Sequence, residues 1–240
     1  MPKKLQEIVR GSAKKVVFSF GRFNPPTVGH EKLMDSITSV ARRLGAENRV
    51  YISNSHDSKK NPLPPEEKKR IMEKSFPNTN IHQSREIVSP FHAFDELVKE
   101  GYREITMVVG SDRVNEFKTG IEKYIKKDGI DLDKFEVVSA GERDPDAEGV
   151  AGMSGSKLRQ LAVDGKMDMF MSGLPSRLND AERKKVYDMI RKEMEVSESH
   201  DLTEEKEEED DSITVLVLTS SPSDFKGTIG RLKKACDFLS

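Results

Sequence analysis

The chain has 240 residues, 35% hydrophobic and 34% charged, with no Trp, enough to bury a sizeable core beneath a heavily charged surface. One cysteine, Cys236, excludes an internal disulfide framework; no apolar run nears the roughly 20 residues of a membrane span, and MPKKLQEIVRGSAKK lacks a secretion-signal core, so a cytoplasmic protein with no membrane partner is expected. The formal charge of −2 is uneven: residues 1–192 carry 35 basic against 29 acidic groups, a net of +6 that suits an anionic small ligand and is too diffuse for a nucleic-acid partner.

In chain order, VVFSF (16–20) reads as a short buried strand. Leu33, Ile37, Val40, Ala41 and Leu44 recur at helical spacing over 30–44, with Gly45 as the stop. A strand is expected near 49–53. The polar loop NSHDSKKNPLPP then leads into a helix over 65–76, where proline suits the first turn. Helices at 91–99 and 114–126 bracket the buried strand ITMVV (105–109); another strand follows at 135–139, then helices at 157–163 and 180–194. This β-α alternation with short connections implies a doubly wound parallel sheet with helices on both faces, over residues 1–194.

From Glu193 to Asp211 the chain holds eleven acids and one basic residue, so 195–212 reads as an acidic disordered linker. ITVLVLT (213–219) and the spacing of Ile229, Leu232, Cys236 and Leu239 then mark a strand and a helix over 213–240. That fragment either opens a second α/β domain or docks on the first sheet.

The densest stretch is FGRFNPPTVGH (20–30), directly after the first strand. In parallel α/β sheets ligands sit at the carboxyl ends of strands, and the free N–H groups of a following helix favour an anion. Gly21 and Gly29 leave room for close approach, Thr27 and His30 offer hydrogen bonds, and Arg22 offers a planar fork for phosphate oxygens. The set suits a polyphosphate, yet neither G-x-x-x-x-G-K-[ST] nor G-x-G-x-x-G is present.

TVGH at 27–30 resembles the (H/T)xGH signature of the nucleotidyltransferase superfamily, whose fold is a Rossmann-like doubly wound sheet. GRFNPPTVGH is most similar to the GRFQPFHxGH form of archaeal-type nicotinamide-mononucleotide adenylyltransferases. It departs at Thr27, where that subgroup has His and pantetheine-phosphate adenylyltransferases have Thr. GMSGSKLR (152–159) resembles the family's ISSTxxR or SGTxxR motif, NPLPPEEKKRIMEKSF (61–76) resembles its NPF-x-x-x-E-R segment, and Gly110-Ser111-Asp112 resembles its strand-end G-x-D. The likeness spans about residues 15–175.

The resemblance implies an ATP-dependent transferase of NAD biosynthesis, with cytidylyl and phosphopantetheine adenylyl transfer as alternatives and a non-catalytic nucleotide-binding module as the rival class. Its partners are a nucleoside triphosphate and a phosphorylated small-molecule acceptor, with Mg²⁺ held through the triphosphate; a homo-oligomer is left open. His30, Thr27 and Arg159 are the implied catalytic residues. Gly21, Arg22, Phe23, Asn24, Gly29, Gly110, Asp112, Ser154 and Ser156 are the implied nucleotide contacts.

Blander readings stand beside these. Thr27, Ser154 and Ser156 can act as helix caps, and Asp112 as cap or ligand contact. Asn61 reads as a turn residue, and His56 with Asp57 as a polar loop rather than a metal site. Met167, Met169 and Met171 read as core filler. Asp144, Asp146 and Glu148 read as a solvated loop.

Overall fold

The computed structural model describes residues 13–141 and 153–196. The acidic linker beyond Val196, the strand and helix expected at 213–240, the Asp144–Glu148 loop and Gly152 lie outside the described residues.

Five strands form one parallel sheet: β1 (Lys14–Gly21), β2 (Glu47–Ile52), β3 (Ile81–His82), β4 (Tyr102–Val109) and β5 (Lys134–Ser139), in the order β3-β2-β1-β4-β5. Helices α1 (Gly29–Leu44), α2 (Pro65–Ser75), α3 (Pro90–Lys99) and α4 (Val114–Asp128) make the crossovers. The strands are apolar on both sides, as a sheet covered on both faces requires. Val17, Val50, Ile52 and Val108 point to Met34, Ile37 and Ala41 of α1 and Met72 of α2. Val16, Phe18, Ile105 and Met107 point to Ala93, Phe94 and Leu97 of α3 and Ile121 of α4. The Rossmann-like α/β architecture is therefore as expected, and its strand order reverses between β1 and β4.

The helix ends follow local chemistry. Gly45 closes α1 with φ 60°, and its N–H meets the carbonyls of Ala41 and Arg42. Ser89 caps α3 by accepting from the His92 N–H at 3.3 Å.

Three further helices, α5 (Gly155–Val163), α6 (Met167–Ser172) and α7 (Asp180–Glu193), complete the described chain. Asn179 and Glu182 start α7 with a reciprocal capping box, at 3.0 and 3.1 Å. Leu158, Leu161, Phe170, Val186, Tyr187 and Ile190 form a third apolar cluster, which also receives Leu63 and Ile71. The late helices are thereby packed onto the segment that follows β2.

Two elements were not expected. β3 is only two residues, too short for a periodic signal, and α6 (MDMFMS) is apolar without helical spacing. The reading of the methionines as core filler is corrected at Met167 and Met169. Phe170 takes the buried position in α6, while Met167 and Met169 are 36% and 51% exposed and Met171 packs partly against the third cluster.

Candidate functional site

The site grows from the reversal point of the sheet. β1 ends at Gly21 and its neighbour β4 at Val109, so the loops after both strands rise from the crevice where α/β sheets take ligands. After β1 the chain folds back on itself. Phe23 adopts φ 46°, a strained value for an aromatic residue, and its ring covers Gly21, where an added Cβ would stand 2.6 Å from Phe23 Cε2. Only glycine fits at 21. The same ring meets the His30 imidazole edge-on, with centroids 4.9 Å apart. Phe23 is 4% exposed, so it acts as a packing surface for His30.

His30 is oriented a second time by the backbone. The Thr27 N–H donates to His30 Nδ1 at 2.9 Å, and Thr27 Oγ1 lies 3.0 Å from the same nitrogen. A ring nitrogen that accepts from an amide carries no proton, so the neutral imidazole holds its hydrogen on Nε2. Thr27 is 1% exposed, and its position serves the imidazole from beneath.

The expectation that free amides at the start of α1 hold the anion needs correction. The Thr27 N–H is used by His30, Val28 N–H donates to the Gly173 carbonyl at 2.9 Å, His30 N–H to the Thr27 carbonyl and Glu31 N–H to the Val28 carbonyl. Those four amides are spent on the turn itself and on the segment after α6, and the Gly29 N–H is not among them. Positively charged side chains flank the same entrance.

The late helix brings the first of them. Arg159 donates from Nη1 to the Asn24 carbonyl at 2.6 Å and from Nη2 to Ser156 Oγ at 3.1 Å. Gly155 allows this approach, since a Cβ there would stand 3.2 Å from the Asn24 carbonyl oxygen. Ser154 caps α5 by accepting from the Lys157 N–H at 3.1 Å. Burial, and then the charge of nearby Arg22, push the Arg159 guanidinium below its ordinary proton affinity, with Asp57 acting the other way. Arg22 is exposed, and neither guanidinium has a carboxylate within ion-pair distance among the described residues. Two cations that repel each other across a crevice favour an incoming anion.

Asn24 does different work from the contact expected of it. Its carboxamide is 4% exposed and pins the NPLPP loop, donating to the Leu63 carbonyl at 3.2 Å and accepting from the Leu63 N–H at 2.9 Å. Gly29 lies against the Met153 carbonyl. Gly110 follows β4, and the exposed Asp112 carboxylate folds back over it on a 3-10 turn (Ser111–Arg113). Thus Gly21, Arg22, Thr27, Gly29, His30, Ser154, Ser156 and Arg159 converge on one loop, while Gly110 and Asp112 stand at the neighbouring strand end.

The 55–61 loop is a polar turn, as read. Asp57 accepts from the amides of Lys59 and Lys60 at 3.0 and 2.6 Å and from Asn61 Nδ2 at 2.6 Å, and these bonds, the Lys60 amide first, hold its carboxyl well below the usual range. No three His, Cys, Asp or Glu side chains among the described residues form a metal cage. A cavity of about 240 Å³ between Met34, Asp35 and Thr38 of α1 and Ser75 and Phe76 at the end of α2 shares no residue with the 20–30 loop or the 152–159 motif. Among the described residues no helix is long and apolar enough to cross a membrane.

One functional candidate escaped the sequence reading. Lys68 in α2 is fully buried, with Nζ 3.5 Å from Ser53 Oγ. Its signal was positional: Lys68, Ile71, Met72 and Ser75 share one helical stripe, so the lysine occupies a core position.

No family model matches the chain, and no curated protein matches it. Solved structures do align with it. The Plasmodium falciparum nicotinic acid mononucleotide adenylyltransferase complexed with NaAD aligns at 13% identity and TM-score 0.48, over 75% of this chain and 95% of that one. The same Plasmodium falciparum enzyme complexed with APC aligns at 14% and 0.45, over 73% and 98%. Thermotoga maritima TmcAL bound with alpha-thio ATP aligns at 9% and 0.43, over 76% and 56%. At these values the functional reading rests on the residues of this chain.

Proposed function

We propose that the protein is a nucleotidyltransferase that moves the adenylyl group of ATP onto a phosphorylated acceptor, nicotinamide mononucleotide, releasing pyrophosphate and forming NAD. The observation that carries this reading is the junction of two distant segments. Arg159, from the late SGSKLR motif, is bonded to the backbone of Asn24 in the early loop whose other end orients His30.

In this reading an acceptor phosphate oxygen attacks the α-phosphorus of ATP. The bond from that phosphorus to the bridging oxygen breaks, and its electron pair leaves with pyrophosphate. No enzyme nucleophile is needed, so positioning and charge stabilisation supply the rate. His30 Nε2–H donates to an α-phosphate oxygen as charge develops there. Thr27 keeps the ring in that tautomer and supports the bridging or β-phosphate region. Arg159, Arg22, Ser154 and Ser156 hold the β- and γ-phosphates. Mg²⁺ fits as a companion of the triphosphate, whose oxygens it would neutralise.

Thr27 in place of a histidine favours a second reading, phosphopantetheine as the acceptor. Pyrophosphate release from ATP and from CTP, each with nicotinamide mononucleotide and with phosphopantetheine, separates the choices. Release with ATP and nicotinamide mononucleotide is expected. Release only with phosphopantetheine or only with CTP replaces the substrate assignment, and none with any pair leaves a nucleotide-binding module.

A further inference from the structure

Lys68 is placed where a stability argument does not put a lysine. It is 0% exposed, and among the described residues no carboxylate pairs with it. Among the described residues the one polar contact of its ammonium is the Ser53 hydroxyl, a neutral group at 3.5 Å. It also lies in the first turn of α2, the positive end of a helix, where Glu66 and Glu67 are favourable and a cation is not. An uncompensated buried ammonium is expensive unless an anion reaches its neighbourhood.

The neighbourhood is the site. Ser53 follows β2, and its N–H donates to the Gly21 carbonyl at 3.0 Å. The Lys68 ammonium therefore lies at the ends of β1 and β2, one side chain from the peptide that opens the GRFNPPTVGH loop. Its complete burial leaves its field little screened by water.

We propose that Lys68 is a buried counter-charge of the anion site, acting on a bound phosphate through its field rather than by contact. The inference rests on the nucleotidyl-transfer reading and deepens it. It makes the second strand end, beside the one from which His30 is held, part of the phosphate-binding surface. Burial pushes the Lys68 ammonium down to about 8, which still leaves it mostly charged at neutral pH.

The test compares the full chain with Lys68→Met and Lys68→Gln. Titration calorimetry uses inorganic pyrophosphate, ATP and nicotinamide mononucleotide as probes, each with Mg²⁺, and steady-state pyrophosphate release is measured alongside. Both variants are expected to melt cooperatively at or above the wild-type temperature. They should bind a phosphate probe on the order of tenfold more weakly, with the loss in KM and kcat within about threefold. Weakening with pyrophosphate and ATP places the field on the triphosphate, and weakening with nicotinamide mononucleotide alone places it on the acceptor. Wild-type binding by both variants overturns the inference. So does wild-type binding by Lys68→Gln alone, which would assign the effect to the bond with Ser53, or loss of cooperative melting in both. A wild-type protein that binds none of the three probes removes the parent reading instead.

Discussion

The two ends of the sheet treat their buried and half-buried cations in opposite ways. At the start of the strands, Arg49 is 6% exposed and surrounded by acceptors. It donates to Glu100 at 2.9 Å, Tyr102 OH at 3.0 Å, Glu47 at 3.2 Å and Tyr51 OH at 3.3 Å. Burial opposes its charge, yet the bonds to Glu100, Tyr51 and Glu47 hold its proton affinity above the ordinary guanidinium value. At the carboxyl ends, Arg159 and Lys68 are shifted the other way, burial first among the causes, and neither has a carboxylate partner among the described residues. A cation whose charge the fold satisfies is structural. One whose charge the fold leaves unanswered, beside the crevice where ligands enter, is in our proposal there for the ligand.

Substitutions that break this contrast should have effects of graded size. The largest is expected at the ligand end. His30→Ala should lower turnover by about 10²–10⁴-fold with a melting curve close to wild type, as for other removed transition-state donors. Kinetics and thermal melting on the same preparation check it. Next, Arg49→Met should leave the substrate KM unchanged and destabilise the fold by roughly 3 kcal/mol, the low end for a broken buried pair because Glu47 and Glu100 are partly exposed. Denaturant unfolding reads that directly.

Lys68 should give the opposite sign. Its folded proton affinity lies near 8 against 10.5 for an ordinary lysine, so between those values the unfolded chain binds more protons. The Lys68 contribution to stability should improve as pH rises across that window, and its destabilising effect, about 3 kcal/mol at most, is fully present below it. The rise should vanish in Lys68→Met, as followed by urea unfolding at pH 7.5 to 10.5. The smallest effect sharpens the comparison as a control. The exposed pair Lys184–Asp188, 2.7 Å apart on α7, should be worth less than about 0.5 kcal/mol, and Lys184→Ala should leave both stability and KM essentially unchanged.

How far the sequence led depends on which signal each part carries. β1 and β4 were legible because strands buried on both faces read as apolar runs, β2 and β5 from shorter stretches rich in β-formers, and α1 because Leu33, Ile37 and Leu44 keep helical period up to Gly45. β3 and α6 were not, being too short to show a period. The motif loop was legible by residue type, but its internal hydrogen bonding was not. Nothing in the string says that Thr27 spends its amide on His30, that Val28 reaches Gly173, or that Asn24 turns away to hold Leu63. The last two bonds join elements far apart in sequence, and the first depends on the backbone turn that the loop adopts. Lys68 was hidden by composition, since PEEKKR reads as a charged surface until the helix phase is tracked through Ile71, Met72 and Ser75.

The central claim is that the early loop and the late helix close on one triphosphate. Hydrogen-exchange mass spectrometry of the full chain, with and without a non-hydrolysable ATP analogue and Mg²⁺, tests it most directly. The account predicts joint protection of residues 21–30 and 153–163 at the same ligand concentration. Protection of only one of those segments, or of the α1–α2 groove in their place, would contradict it.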